Sequence, residues 1–170
     1  MRFLNTFQLY DFFDTLVSLF TAFVLGTLIG AERQFRQRSA GLRTNVLVAV
    51  GAAAFVDLGN RLTGADGAVR IIAYVVSGIG FLGAGTIMKE GMNVRGLNTA
   101  ATLWCSASVG AFAGADLPLE ACFVTAAVLV LAAIIGVIRL AIGDTDSIAG
   151  TVVNVVWIGY DLLLLSVIVE

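Results

Sequence analysis

The sequence predicts an all-α membrane protein, a bundle of five transmembrane helices. Two observations carry that prediction: the scarcity of charge and the way the charge is gathered. Only 13% of the 170 residues are charged, 59% are hydrophobic, and the mean hydropathy is +0.96. A soluble domain carries about 25% charged residues. Here Arg, Lys, Asp and Glu collect in short stretches between long apolar runs. Runs of about 18 or more apolar residues mark membrane-spanning helices. Hydrocarbon offers the backbone no partners, so such runs satisfy their own N–H and C=O groups as helix.

The spans follow in order: residues 15–31, 44–58, 69–88, 97–115 and 119–142, which make residues 1–142 one transmembrane domain. Connections are compact, so consecutive helices should be antiparallel neighbours. The second span is near the lower limit for crossing and should be shielded by its neighbours. Asp11 and Asp14 precede the first run without a small-residue cleavage site, so that run reads as a retained helix and not a signal peptide. The lone proline, Pro118, falls in the fourth connection.

Residues 143–170 form an apolar tail. Its stretch 148–169 has the length of a sixth span. Its β-branched run TVVNVVWIGYDLLLLSVIV also suits the first strand of a soluble domain. Asp161 argues against the span, since a carboxylate at the bilayer centre costs about 2.5 kcal/mol or more.

Basic residues set the expected orientation. Arg33, Arg36, Arg38, Arg43, Lys89, Arg95 and Arg139 fall on one side, against Arg2, Arg61 and Arg70 on the other. The richer side should be cytoplasmic, which places the N-terminus in the periplasm. Net charge is −2, with no basic face for phosphates, which excludes a nucleic-acid partner. Cys105 and Cys122 lie within apolar runs and the chain has no histidine, so neither a disulfide framework nor a metal site is expected. No Ser/His/Asp or paired-carboxylate constellation is present, so neither catalysis nor a cofactor is expected.

Small residues recur at helical spacing: Gly26 and Gly30 on the first span, Ser106, Gly110 and Gly114 on the fourth, Ala132 and Gly136 on the fifth. Such stripes let backbones approach closely. Packing within the chain is their expected use, with a homodimer seam as the alternative. The third span holds Gly78, Gly80, Gly83 and Gly85, and the first three match GxGxxG in spacing. That fingerprint requires a βαβ unit around it, which an apolar span does not supply. Four glycines weaken a helix by about 1 kcal/mol each relative to alanine, so this segment should be broken or tightly packed.

The most charged stretch is GAERQFRQRSAGLRTN, residues 30–45. Glu32 and Arg36 are spaced for an i,i+4 pair if the first helix continues beyond its apolar run. Arg33, Arg36, Arg38 and Arg43 would meet anionic lipid headgroups, or dock a cytoplasmic partner. On the fourth span Asn98, Thr102, Cys105 and Ser106 share one face and could bond across helices. Asn98 could instead cap that helix.

These stretches also carry a resemblance. GAERQFRQRSAGLRTNVLVAVGAAAF, SGIGFLGAGTIMKEGMNVRGLNTAATLWCSASVG and their spacing resemble the bacterial MgtC/SapB family of inner-membrane proteins, over residues 15–142. The resemblance implies a role in growth at low magnesium and in survival of intracellular pathogens within macrophages. It implies a regulator more than a transporter, one similar to an inhibitor of F-type ATP synthase and itself controlled by small hydrophobic membrane peptides. Magnesium or other small-ion transport is the alternative it leaves open. The positions matching the family's motifs are Glu32, Arg33, Arg43 and Asn45, then Gly78, Gly80, Gly83 and Gly85, then Asn93, Arg95, Asn98, Thr99, Thr102 and Cys105. Asn98 and Cys105 lead, because they lie on the polar face. One feature departs from the pattern: typical members follow the fifth span with a soluble α+β domain, whereas the 31 residues after Arg139 here are strongly apolar. A shortened chain, a short family variant or an extra span would each explain it, and functions of that domain are not expected from this stretch.

Overall fold

The computed structural model describes residues 9–90 and 93–141. Within them are five helices: α1 (Leu9–Phe35), α2 (Leu42–Thr63), α3 (Ala65–Thr86), α4 (Leu97–Gly114) and α5 (Pro118–Ala141). A two-stranded hairpin, β1 (Met88–Glu90) and β2 (Asn93–Arg95), joins α3 to α4. The strands are antiparallel, with Met88 opposite Arg95 and Lys89 opposite Val94. The tail 148–169, expected as a sixth span or a strand, lies outside the described residues, as does Arg2. By its contacts the chain divides after Thr125, inside α5, into two compact units.

In the first unit α2 and α4 are central. They pack against each other, and each also packs against both α1 and α3. Alanine dominates the core: Ala49, Ala52 and Ala53 of α2 and Ala107 and Ala113 of α4 are all buried, with Val56, Leu103 and Val109 among them. Such small residues bring helix backbones together. A methyl carbon added at Gly30 would lie 2.6 Å from the Leu42 Cα, and one at Gly26 would lie 2.9 Å from the Ala49 Cβ. Gly110 and Gly114 likewise leave room for the α2 backbone at Ala49 and Ala53. Both stripes are therefore used inside the chain, where close van der Waals contact replaces the hydrophobic drive that lipid does not provide.

Four helices (α1, α2, α3 and α5) are long and apolar enough to cross a membrane. Helix α4 has 18 residues, about 27 Å at 1.5 Å per residue. Nine of those residues are buried, so it can carry Thr99, Ser106 and two glycines where a lipid-facing helix could not. Outward-facing aromatics such as Phe20, Phe81 and Phe123 are well exposed. In water so much apolar surface would drive association; in hydrocarbon it is matched by its surroundings.

Three sequence expectations change. The second helix has 22 residues and runs to Thr63, well past residue 58. Its polar end is held by side-chain pairing that hydropathy does not register. The glycine-rich third helix is unbroken, because backbone groups in lipid have no alternative to the helical ladder. Nor is it tightly packed: only Gly83 meets a neighbour, Ala100, while a Cβ at Gly78, Gly80 or Gly85 would have nothing within 4 Å. Pro118 is the first residue of α5 and not part of a loop. Its missing N–H costs nothing there, and its fixed φ suits a helix start.

Of α5 itself, Thr125 Oγ1 donates to the Ala121 carbonyl at 2.9 Å, so the hydroxyl is satisfied within the helix. Leu131, Ile134, Ile135 and Ile138 are exposed.

Candidate functional site

The first unit has a polar junction at each end. At the basic end, α1 closes on its own C-terminal loop and on α4. Arg33 is 3% exposed. Its Nη2 donates to the Ser39 carbonyl at 2.7 Å and to Thr99 Oγ1 at 2.5 Å, and Ser39 Oγ lies 3.1 Å from the same Thr99 oxygen. Arg33 Nε is buried without a hydrogen-bond partner among the described residues. Asn45, fully buried, donates from Nδ2 to the carbonyls of Ala40 (2.7 Å) and Gly41 (2.8 Å). Its Oδ1 accepts from Ser106 Oγ at 2.8 Å. Four segments thus meet at two side chains: the end of α1, the 36–41 loop, the start of α2, and α4. The loop needs the clamp, since Gln37 and Ala40 have positive φ, which costs about 1 kcal/mol or more for a residue other than glycine.

The predicted Glu32–Arg36 pair forms, with Arg36 Nε 2.5 Å from Glu32 Oε1. Arg43 is exposed in the first turn of α2. Asn93 and Arg95 are exposed on β2. Of the polar face expected on α4, Ser106 is buried and bonds across helices to Asn45, and the other three are not buried. Asn98 is exposed, Thr102 and Cys105 are half-buried, and Thr102 Oγ1 donates back to the Asn98 carbonyl at 2.9 Å. Thr99 and Ser106, seven residues apart, are the pair turned inward. Nor does Asn98 cap α4. The cap is Gly96, at φ 91, where a side chain would run into the Thr86 carbonyl. Cys105 and Cys122 are free thiols.

The acidic end was not foreseen. Arg61 Nε is 3.0 Å from both Asp57 oxygens, and the Arg61 guanidinium also lies 3.8 Å from Asp11 Oδ2 and bonds the Asp11 carbonyl. Thr15 Oγ1 donates to Asp57 Oδ2 at 2.7 Å. Asp116 accepts from Asn60 Nδ2 at 3.0 Å and from Ser18 Oγ at 3.4 Å, which ties the loop after α4 to α1 and α2. Desolvation by the surrounding chain, followed by the Asp14 and Asp57 charges, raises the Asp116 carboxyl above its ordinary value; the Ser18 bond and Arg61 oppose this. The i,i+4 spacing of Asp57 and Arg61 was the available signal for this end, because charges closing an apolar run seldom stay unpaired.

Between the two junctions the interior is apolar. Asn45 and Asp57 are 12 residues apart on α2, about 18 Å along the axis. Ala49, Ala52, Ala53, Val56, Leu103 and Val109 fill that interval. No group of three or more Cys, Asp or Glu residues able to hold a metal ion occurs among the described residues.

The chain spans about half the length of the curated relatives it matches. It is similar to Protein MgtC of Brucella abortus (strain 2308), 58% identical over 121 residues, which cover 71% of this chain and 51% of that protein. It is also similar to Protein MgtC of Salmonella typhimurium (strain LT2), 65% identical over 102 residues, covering 60% and 44% respectively. No solved structure matches. The family model matches residues 19–161, an interval that takes in both polar junctions apart from Asp11, Asp14, Thr15 and Ser18, and the chain belongs to the MgtC family.

Proposed function

We propose that this chain is a non-enzymatic regulator of the bacterial inner membrane that works by laying one helix face against another membrane complex. The resemblance names that complex as F-type ATP synthase, restrained during adaptation to low magnesium and inside macrophages. It also names small hydrophobic membrane peptides as controllers of the regulator itself. The excess of basic residues at the Arg33 end supports a cytoplasmic position for that end and a periplasmic N-terminus.

One observation carries the reading. Ala73, Ser77, Gly80 and Ala84 are all exposed on α3, at the spacing that puts them on one face. A Cβ at Gly80 would meet nothing within 4 Å. Small-residue seams serve close helix approach. The seams of α1 and α4 are consumed inside the chain, whereas this one is left outside.

Co-reconstitution with F-type ATP synthase tests the proposal. The chain should slow ATP-driven proton pumping into vesicles, and Gly80→Leu, which has room for its side chain, should abolish the slowing without loss of helicity. Pumping unaffected by the unaltered chain, or slowed equally by Gly80→Leu, would overturn it. Ion transport, the alternative, would need a polar route through the alanine and valine layer between the two junctions.

A further inference from the structure

Beside that seam, α2 and α3 enclose a groove of about 840 Å³. Ligand sites commonly measure about 300–1,000 Å³. Glycines make the groove: a Cβ at Gly51 or Gly78 would have nothing within 4 Å, so the floor is bare where the flanking Leu47, Phe55, Tyr74 and Leu82 stand out. Its lining on α2 runs from Arg43 to Phe55, 12 residues or about 18 Å. One leaflet of hydrocarbon is about 15 Å deep, half of the roughly 30 Å core. The groove is therefore one acyl chain long, whereas a partner helix would need the full thickness of the membrane.

The end of the groove is as specific as its length. Arg43 and Thr44 close it at the start of α2. No described residue pairs with the Arg43 guanidinium. The first turn of α2 contains no acidic residue, and Gly41 provides no capping side chain. The Leu42 N–H is taken by Gln34 Oε1 at 3.4 Å, which leaves the Arg43 and Thr44 N–H groups; with the arginine and the hydroxyl of those same residues they suit a phosphate at headgroup depth. We infer that the α2–α3 groove holds one anionic phospholipid, with its phosphate on Arg43 and Thr44 and an acyl chain lying over Gly51 and Gly78. A zwitterionic headgroup would bring its own cation beside Arg43 and is disfavoured.

The full chain would be reconstituted in vesicles of equal parts phosphatidylglycerol and phosphatidylethanolamine, extracted in mild detergent and weighed by native mass spectrometry. One phosphatidylglycerol per chain should be retained. Arg43→Gln, which removes the charge, and Gly78→Leu, which fills the groove, should each lower retention at least fivefold with helicity unchanged. Lys89→Gln, at the same end but outside the groove, should leave it unchanged. Equal retention of both lipids, undiminished phosphatidylglycerol in Arg43→Gln and Gly78→Leu, or a lipid-free dimer of the chain would each overturn the assignment.

Discussion

The two ends of the α1–α4 unit solve one problem with opposite chemistry. At the basic end a buried cation, Arg33, is held by neutral acceptors, the Ser39 carbonyl and the Thr99 hydroxyl, while Asn45 fills its hydrogen-bonding capacity with two carbonyls and Ser106. At the other end Asp11, Asp57 and Asp116, with Asp14 near by, share one arginine, Arg61, and the neutral donors Thr15, Ser18 and Asn60. The basic end holds a single buried cation among neutral acceptors. The acidic end is a set of carboxylates that repel one another. The first should respond little to salt, and the second should respond to salt and to pH.

The largest expected effect is at the basic end. Asn45→Ala removes three side-chain hydrogen bonds and strands Ser106 and the half-buried Ala40 carbonyl, while the Gly41 carbonyl keeps the backbone N–H of residue 45; the change should cost about 3 kcal/mol in thermal unfolding at any salt concentration. A cost under about 1 kcal/mol would mean that water replaces the amide. At the acidic end Asp57→Asn weakens a partly exposed pair and should cost about 1 kcal/mol, less at high salt. The same loss at low and high salt would show that the Thr15 bond, and not the charge, dominates. The smallest effect is a pH slope. The raised Asp116 value means that the folded chain binds this proton more tightly than the unfolded chain does. Its contribution is thus fully present below the ordinary value of 3.8 and is lost as pH rises through the raised one. Unfolding temperature should therefore increase as pH falls from neutral toward that window, and Asp116→Asn should flatten the slope. A slope unchanged in Asp116→Asn would place the titration elsewhere.

The helical membrane fold was legible because lipid makes it nearly obligatory: apolar runs separated by charged stretches leave the backbone no other ordered form. The Glu32–Arg36 pair and the small-residue stripes of α1 and α4 were legible for a similar reason, since both depend on spacing along one helix. The sites were harder. Rotation by about 100° per residue separates Asn98, which is exposed, from Thr99, which is buried, and no single-sequence pattern says which faces inward. The acidic junction depends on Asp116 reaching Ser18 and Asn60 across 98 and 56 residues of chain, a proximity created only by packing. The α3 glycines misled because glycine costs a helix stability whether or not a neighbour exploits the space.

Among the described residues about 18 Å of alanine, valine and leucine packing separates the two ends, and a layer of that kind is expected to pass no ion. Magnesium entry into sealed proteoliposomes, with and without a membrane potential, tests it most directly. Entry equal to that of protein-free vesicles is expected. Protein-dependent entry that falls in Asn45→Ala would contradict it, and would make the two junctions the mouths of a channel.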